Sequence, residues 1–224
     1  MNYKIAIDGP SGTGKSTTAK ILAKDLSFIY IDTGAMYRAV GLYCYKNNID
    51  IDNEKEVVRN LDNININIFY KDGNQEIELN NEIVSNEIRE NHISKYASVV
   101  SQYKEVRERL VALQQHLASK NSVIMDGRDI GTVVLPDANL KIYLVASNDV
   151  RAERRYKELK EKGQEVDLEK IKEELIERDY RDSNRENSPL RKADDAIELD
   201  NSNMTIEEVV DKVKQLFNEK VGNL

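Results

Sequence analysis

Five short apolar stretches, at 4–8, 28–31, 122–126, 140–145 and 196–199, carry enough β-branched residues to read as buried strands. Most of the intervening chain has the helical period instead. Residues 17–24 follow the first strand as a helix, and Met36, Ala39, Val40, Tyr43 and Cys44 recur at helical spacing after the second. Val106, Leu110, Leu113 and Leu117 mark a helix over 104–120. Charged helices are predicted at 149–162 and 168–180, the second breaking in the polar stretch 181–190. Thr205 and Glu208 form a capping box ahead of a last helix whose Ile206, Val209, Val210, Val213, Leu216 and Phe217 keep one apolar face. Strands alternating with helices predict an α/β fold: a five-stranded, mainly parallel sheet wrapped by helices.

One segment breaks the alternation. Ile64, Ile66, Ile68 and Tyr70 alternate strictly, Asp72-Gly73-Asn74 is turn-forming, and Glu76-Ile77-Glu78-Leu79 returns, which is the pattern of a β-hairpin. The expected organisation is therefore a core domain of residues 1–51 and 92–224, interrupted by an inserted subdomain over 52–91. Such inserts usually contact a substrate.

Between the first strand and its helix lies Gly9-Pro10-Ser11-Gly12-Thr13-Gly14-Lys15-Ser16, which fits G-x-x-x-x-G-K-[ST] at every fixed position. Glycines let backbone N–H groups turn inward to cradle phosphates, Lys15 reaches the β/γ-phosphates, and Ser16 offers a hydroxyl to Mg²⁺. The dipole of the helix that follows adds to the attraction. Strand, loop, Lys-Ser and helix in register point to a bound nucleoside triphosphate.

Ligands of such sheets lie beyond the carboxyl ends of the strands, and there the strand assignments place Asp32-Thr33, Asp126 to Asp129 and Asp200 with the loop. Asp32 and Thr33 also suit a helix cap. Asp126 ends its strand as a metal-contacting aspartate would, acting on Mg²⁺ through water. Arg38, Arg128, Arg178, Arg181 and Arg185 fall in or beside the same rim, with Arg151, Arg154 and Arg155 on a neighbouring helix. Lysine, Mg²⁺ and several arginines without an evident nucleophile suit phosphoryl transfer, which needs alignment and charge stabilisation.

Composition narrows the alternatives. Among 224 residues, 33 Lys and Arg stand against 40 Asp and Glu, a net charge of −7 that disfavours a general nucleic-acid or anionic-membrane surface. Cys44 is the single cysteine, so neither an internal disulfide nor a structural zinc site is expected; its apolar setting makes it a buried thiol. His92 and His116 read as surface imidazoles. The chain runs from Met1 straight towards its first strand with no signal-peptide layout, and no apolar run approaches a membrane span. A cytoplasmic monomer is expected.

Several stretches together resemble the bacterial cytidylate kinases, within the P-loop nucleoside monophosphate kinases: the phosphate loop, Asp32-Thr33-Gly34-Ala35-Met36-Tyr37-Arg38, Asp126-Gly127-Arg128-Asp129-Ile130-Gly131-Thr132-Val133-Val134, and Arg178-Asp179-Tyr180-Arg181-Asp182-Ser183-Asn184-Arg185. The resemblance spans nearly the whole chain. It implies transfer of the γ-phosphate of ATP to CMP or dCMP with Mg²⁺. ATP would be held by residues 9–17, Thr17 included, with Arg154 and Arg155 from a short helical lid at about 151–165. Thr33, Arg107, Asp129 and Arg185 would meet cytosine, Ser98, Arg178 and Asp182 the sugar, and Arg38 and Arg128 the phosphate. Lys15, Arg128 and Arg38 would carry catalysis. Insert and lid would close on substrate and keep water from the γ-phosphate.

Cytosine offers an exocyclic amine that Asp129 or Thr33 accepts from, and acceptors at N3 and O2 that an arginine satisfies; uracil reverses the polarity at the amine and N3. Asp200-Asn201-Ser202 departs from the family, which more often has hydroxyl residues after the aspartate. The rival readings are another P-loop small-molecule kinase, acting on adenylate, thymidylate or a non-nucleotide, and a P-loop ATPase switch that transfers phosphate to water.

Overall fold

The computed structural model describes residues 2–71 and 74–222. By backbone proximity the chain groups into two compact units, Met1–Ile29 with Asn121–Leu224, and Tyr30–Lys120.

The first unit is built on β1 (Lys4–Asp8), the centre of a five-stranded sheet. After α1 (Lys15–Leu26) the chain forms β2 (Ile29–Asp32), α2 (Thr33–Lys46), α3 (Glu54–Asn60), β3 (Ile66–Lys71), β4 (Asn74–Leu79), β5 (Glu82–Ile83), α4 (Asn91–Val100) and α5 (Lys104–Lys120). It then returns through β6 (Val123–Gly127), β7 (Leu140–Val145), α6 (Asn148–Glu161), α7 (Leu168–Asn184), β8 (Ile197–Asp200) and α8 (Ile206–Val221). Sheet order is β2-β6-β1-β7-β8. β1 pairs in parallel with β6 (Ile5 opposite Ile124, Ile7 opposite Asp126) and with β7 (Ile5 opposite Leu140), and β7 pairs in parallel with β8. Ile5, Ala6 and Ile7 are wholly buried, which is why β1 lacks the alternation of a one-sided strand.

Helices cover this sheet through apolar faces that the sequence pattern anticipates. α1 buries Ala19 and Leu22, and α8 buries Val209, Val210, Val213 and Phe217, entered through the expected Thr205–Glu208 capping box. Phe217 meets Tyr3 and Phe28 edge-on at 5.7 and 5.8 Å between ring centres, while Tyr3 and Phe28 stack on one another at 6.1 Å.

In the second unit the hairpin forms as β3 and β4, antiparallel, with Ile68 opposite Ile77. The turn expected there falls in part on residues 72 and 73, outside the described residues. The unpredicted β5 adds a two-residue edge. α2 begins at Thr33, and the Asp32 carboxylate accepts the Ala35 N–H at 3.0 Å and caps it, as its position suggests. α2 and α4 approach closely at Gly41, where an added Cβ would lie 2.9 Å from the Tyr96 Cβ and 3.0 Å from the Ala97 nitrogen. Cys44 is buried as expected, and burial pushes its thiol up to about 11, so it packs rather than reacts. His92 lies at the start of α4, its ring 4.6 Å from that of Tyr45.

α7 differs from expectation. It continues one turn past Tyr180 to Asn184, so that Arg178 and Asp182 lie one turn apart. The i,i+4 ion pair between them, 4.0 Å from Arg178 Nε to Asp182 Oδ2, supports that extra turn. Among the described residues no helix is long and apolar enough to cross a membrane.

Removing the Phe217 ring from its aromatic partners leaves a cavity against the sheet, so Phe217→Ala should lower stability by about 3–5 kcal/mol. Chemical denaturation checks this; a loss well under 1 kcal/mol would mean that α8 is not held by that cluster.

Candidate active site

The carboxyl end of β1 sets the geometry of the first unit's site. Asp8, the last residue of the strand, accepts the N–H groups of Ile130 at 2.8 Å and Gly131 at 2.7 Å, tying the turn after β6 to the start of the phosphate loop. Burial pushes the Asp8 carboxyl up to about 6, although the two N–H groups pull the other way. The sequence assigns Asp8 no task; its position before Gly9 is the signal that could have revealed one.

The loop that follows needs its glycines. Gly9 has φ +145° and an added Cβ would lie 2.1 Å from the Leu144 carbonyl oxygen, so β1 and β7 admit nothing larger. Gly14, at φ 86°, caps α1 and turns the chain into the helix. Lys15 opens α1 as a buried ammonium: Nζ donates to the Pro10 carbonyl at 2.5 Å and lies 3.4 Å from Thr13 Oγ1. Burial first, then the charge of Arg128, bring its pKa down to about 7 against the opposing pull of Asp126 and Asp179.

Ser16, exposed in the first turn of α1, donates to Asp126 Oδ2 at 2.8 Å. A hydroxyl and a carboxylate side by side are hard oxygen donors and fit Mg²⁺, which takes one or two protein ligands and completes its shell with water and phosphate. Among the described residues no group of three or more His, Cys, Asp and Glu side chains is placed to hold a metal ion alone. Thr17 is exposed beside Ser16, and Thr13 is buried beneath the loop.

Beyond the loop the same unit gathers arginines around two aspartates. Arg128 donates from Nε to Asp182 at 2.7 Å and from Nη2 to Ser11 Oγ at 2.6 Å. Burial pushes the Asp182 carboxyl up, but Arg128, Arg178 and Arg185 outweigh it and hold the group below the usual carboxylate range. Arg185 Nη2 lies 3.6 Å from Asp129 Oδ1, both side chains nearly inaccessible, and Arg185 Nε donates to the Ser188 carbonyl. Arg128, Asp129, Arg178, Asp182 and Arg185 are thus brought together.

On α6, Arg154 donates to the Asn201 side chain at 3.1 Å and backbone carbonyl at 2.9 Å, while Asn201 Nδ2 donates to the Thr13 carbonyl. Arg155 turns along its own helix to Glu158 at 2.8 Å. Arg151, which the sequence marks only as a neighbour, donates to the Ser11 carbonyl at 2.8 Å and to Asp179.

The remaining expected residues belong to the second unit. Thr33 is buried at the head of α2, and Arg38 Nη1 donates to the Ile88 carbonyl at 3.2 Å and to Ser94 Oγ at 2.9 Å. Arg107 donates to the Ser101 carbonyl at 3.1 Å, its guanidinium 5.4 Å from the centre of the Tyr37 ring. Ser98 Oγ is buried with no hydrogen-bond partner among the described residues.

The family model described as cytidylate kinase matches residues 5–219. A protein of Caldicellulosiruptor saccharolyticus named cytidylate kinase is 54% identical, covering 98% of this chain and 97% of its own length. Another so named, from Lactobacillus johnsonii, is 50% identical over 100% and 98%. A solved gluconokinase of Sinorhizobium meliloti shares the fold at TM-score 0.50 and 14% identity, covering 97% of this chain and 92% of its own.

Since phosphate requires an ammonium where Lys15 titrates near neutrality, nucleotide binding at pH 8 should take up a proton, and affinity should fall as pH rises above about 7. Calorimetry in two buffers of different ionisation enthalpy measures the uptake; equal heats in both would contradict it.

Proposed function

The chain belongs to the cytidylate kinase family and is an ATP-dependent phosphotransferase; from that premise we propose that it transfers the γ-phosphate of ATP to CMP or dCMP, giving ADP and the cytidine diphosphate. The observation that carries this reading is the second set of arginines, Arg128, Arg178 and Arg185, held by Asp182 and Asp129 beside the phosphate loop within one unit. A P-loop ATPase switch needs a positioned water, not an acceptor site of this kind.

Lys15 and Arg128 neutralise charge on the transferring phosphoryl group while the loop holds the ATP phosphates in place. Ser16 and, through water, Asp126 would hold Mg²⁺, which when bound offsets charge on the β- and γ-phosphates. The acceptor's phosphate oxygen is already anionic and attacks in line, so no general base is assigned. Asp129 accepts from the cytosine amine and Arg185 donates to the ring acceptors. Asp182 has lone pairs beyond those used by Arg128 for a sugar hydroxyl. Arg178 is assigned to the sugar with it. Arg38 is assigned to the acceptor phosphate, Thr33 and Arg107 to the base and Ser98, whose hydroxyl has an unused donor, to the sugar. Residues 52–91 serve as the monophosphate-binding insert and the helix carrying Arg154 and Arg155 as the lid.

ADP formation with ATP, Mg²⁺ and each of CMP, dCMP, UMP, AMP, GMP and dTMP tests the reading. Fast turnover is expected with the cytidine pair alone; a preference for another acceptor discards the base assignment, and equal ADP release without acceptor discards transfer. Asp129→Asn, which keeps size but loses charge beside Arg185, should raise KM for CMP by about 10–100-fold and narrow its advantage over UMP, with a smaller change in kcat. Unaltered affinity and selectivity would remove Asp129 from base reading. Excess EDTA should stop turnover and added Mg²⁺ restore it; persistent turnover in EDTA would remove the cation from the scheme.

A further inference from the structure

Asp179, on α7, stands among groups whose chemistry is that of a phosphate site. One carboxylate oxygen accepts the Ser11 N–H of the phosphate loop at 3.0 Å, and the other accepts from Arg151 Nη1. Arg151 is itself buried; the same Nη1 donates to the Ser11 carbonyl at 2.8 Å, Nη2 donates to Asn148 Oδ1, and Nε is a buried donor that meets no acceptor among the described residues. The Asp179 charge also acts on both Lys15 and Arg128. A loop N–H, a lysine and two arginines therefore face one carboxylate that the family resemblance leaves without a task.

We propose that Asp179 is an internal anion occupying the phosphate loop of the nucleotide-free protein, and that the phosphates of ATP must displace it from Ser11 and Arg151 to bind. The proposal rests on the reading of residues 9–16 as the ATP site. Its physical basis is competition between like charges for one donor set. While the carboxylate holds Ser11 and Arg151, the binding-competent form is only a fraction of the molecules, and apparent affinity falls by that fraction. Without Asp179 the buried Arg151 would lose its carboxylate partner beside the loop, at a cost in low dielectric. On displacement Arg151 gains an acceptor on the nucleotide, so that α6 is drawn to ATP only after the loop is filled. Asp179 is in this sense a positioning residue, acting through Ser11 and Arg151 rather than on the reacting atoms.

The test is the affinity of the intact protein for ATP with Mg²⁺ and no acceptor, measured by calorimetry for the wild type and for Asp179→Asn, with thermal melting to verify folding. The variant is expected to bind ATP about tenfold more tightly and to show a correspondingly lower KM for ATP, with kcat within about twofold of wild type. Unchanged or weaker binding by a folded variant overturns the proposal, since a purely structural contact would loosen the loop. Failure of the wild type to bind ATP would overturn the reading of the loop itself, a separate result. Amide hydrogen exchange of the nucleotide-free wild type probes the same contact without a substitution. The Ser11 amide is expected to be protected by its bond to Asp179, and exchange as fast as that of an unbonded loop amide overturns the proposal.

Discussion

Neutralisation of charge at the carboxyl edge of a buried strand is the constraint on which the first unit depends. A loop able to bind triphosphate must gather cations, and a protein without its ligand must hold them together. Lys15, Arg128, Arg151 and Arg185 are accordingly opposed by Asp126, Asp129, Asp179 and Asp182, supplied by the end of β6, the turn after it and α7. β1 can sit at the centre of the sheet because Ile5, Ala6 and Ile7 are wholly apolar up to Asp8, where polar chemistry begins. Asp8 then accepts two backbone N–H groups, and burial opposes its charge. The strand therefore changes role within one residue, from filling the core to fixing the site.

The second unit answers to a different constraint, the close packing of helices. Gly41 allows α2 to lie against α4 at a distance no side chain would permit, and Cys44, one turn on, is a small apolar filler with its thiol pushed out of the reactive range. Arg38 and Arg107, on α2 and α5, find carbonyl partners inside this framework. Such bonds fix the direction in which a guanidinium fork points. The hairpin adds its own tie, Tyr70 Oη to the Tyr30 carbonyl at 2.6 Å.

What can be read from the sequence divides along a physical line. The five strands, the capping box and the phosphate loop depend on local periods or fixed spacings, and all lie close to their expected positions. α4 escapes the pattern because its polar start, Asn91-His92, hides an apolar face formed by Ile93, Ala97 and Val100. The two-residue β5 is held by pairing alone, which no local pattern reports. The pattern ends α7 at Tyr180 because the following run of Arg, Asp, Ser and Asn has loop composition; the charges are instead the partners that keep it helical. The same limit hides Asp8 and Asp179. Each lies in a stretch that carries other signals, but the contact that gives it meaning is more than 100 residues away.

Asn201 shows how a departure in sequence is absorbed by geometry. The family resemblance leads to the expectation of a hydroxyl after the strand-ending aspartate, and a hydroxyl has one proton to donate. An amide has separate donor and acceptor ends. Here the donor end holds the Thr13 carbonyl under the phosphate loop at 2.8 Å and the acceptor end takes Arg154 from α6, with the Asn201 backbone carbonyl taking the other arm of the same guanidinium. Buried to 2% exposure, the side chain has no water to substitute for either bond. Arg154 is thus bound at both arms to the segment that also supports the loop, so its direction is fixed by the loop's own scaffold rather than by the rotamers of an exposed helix. Arg155, next to it, pairs with Glu158 on the surface of α6. Of the two arginines the resemblance assigns to ATP, Arg154 is held by the floor of the phosphate loop and Arg155 by an exposed pair, which solvent screens.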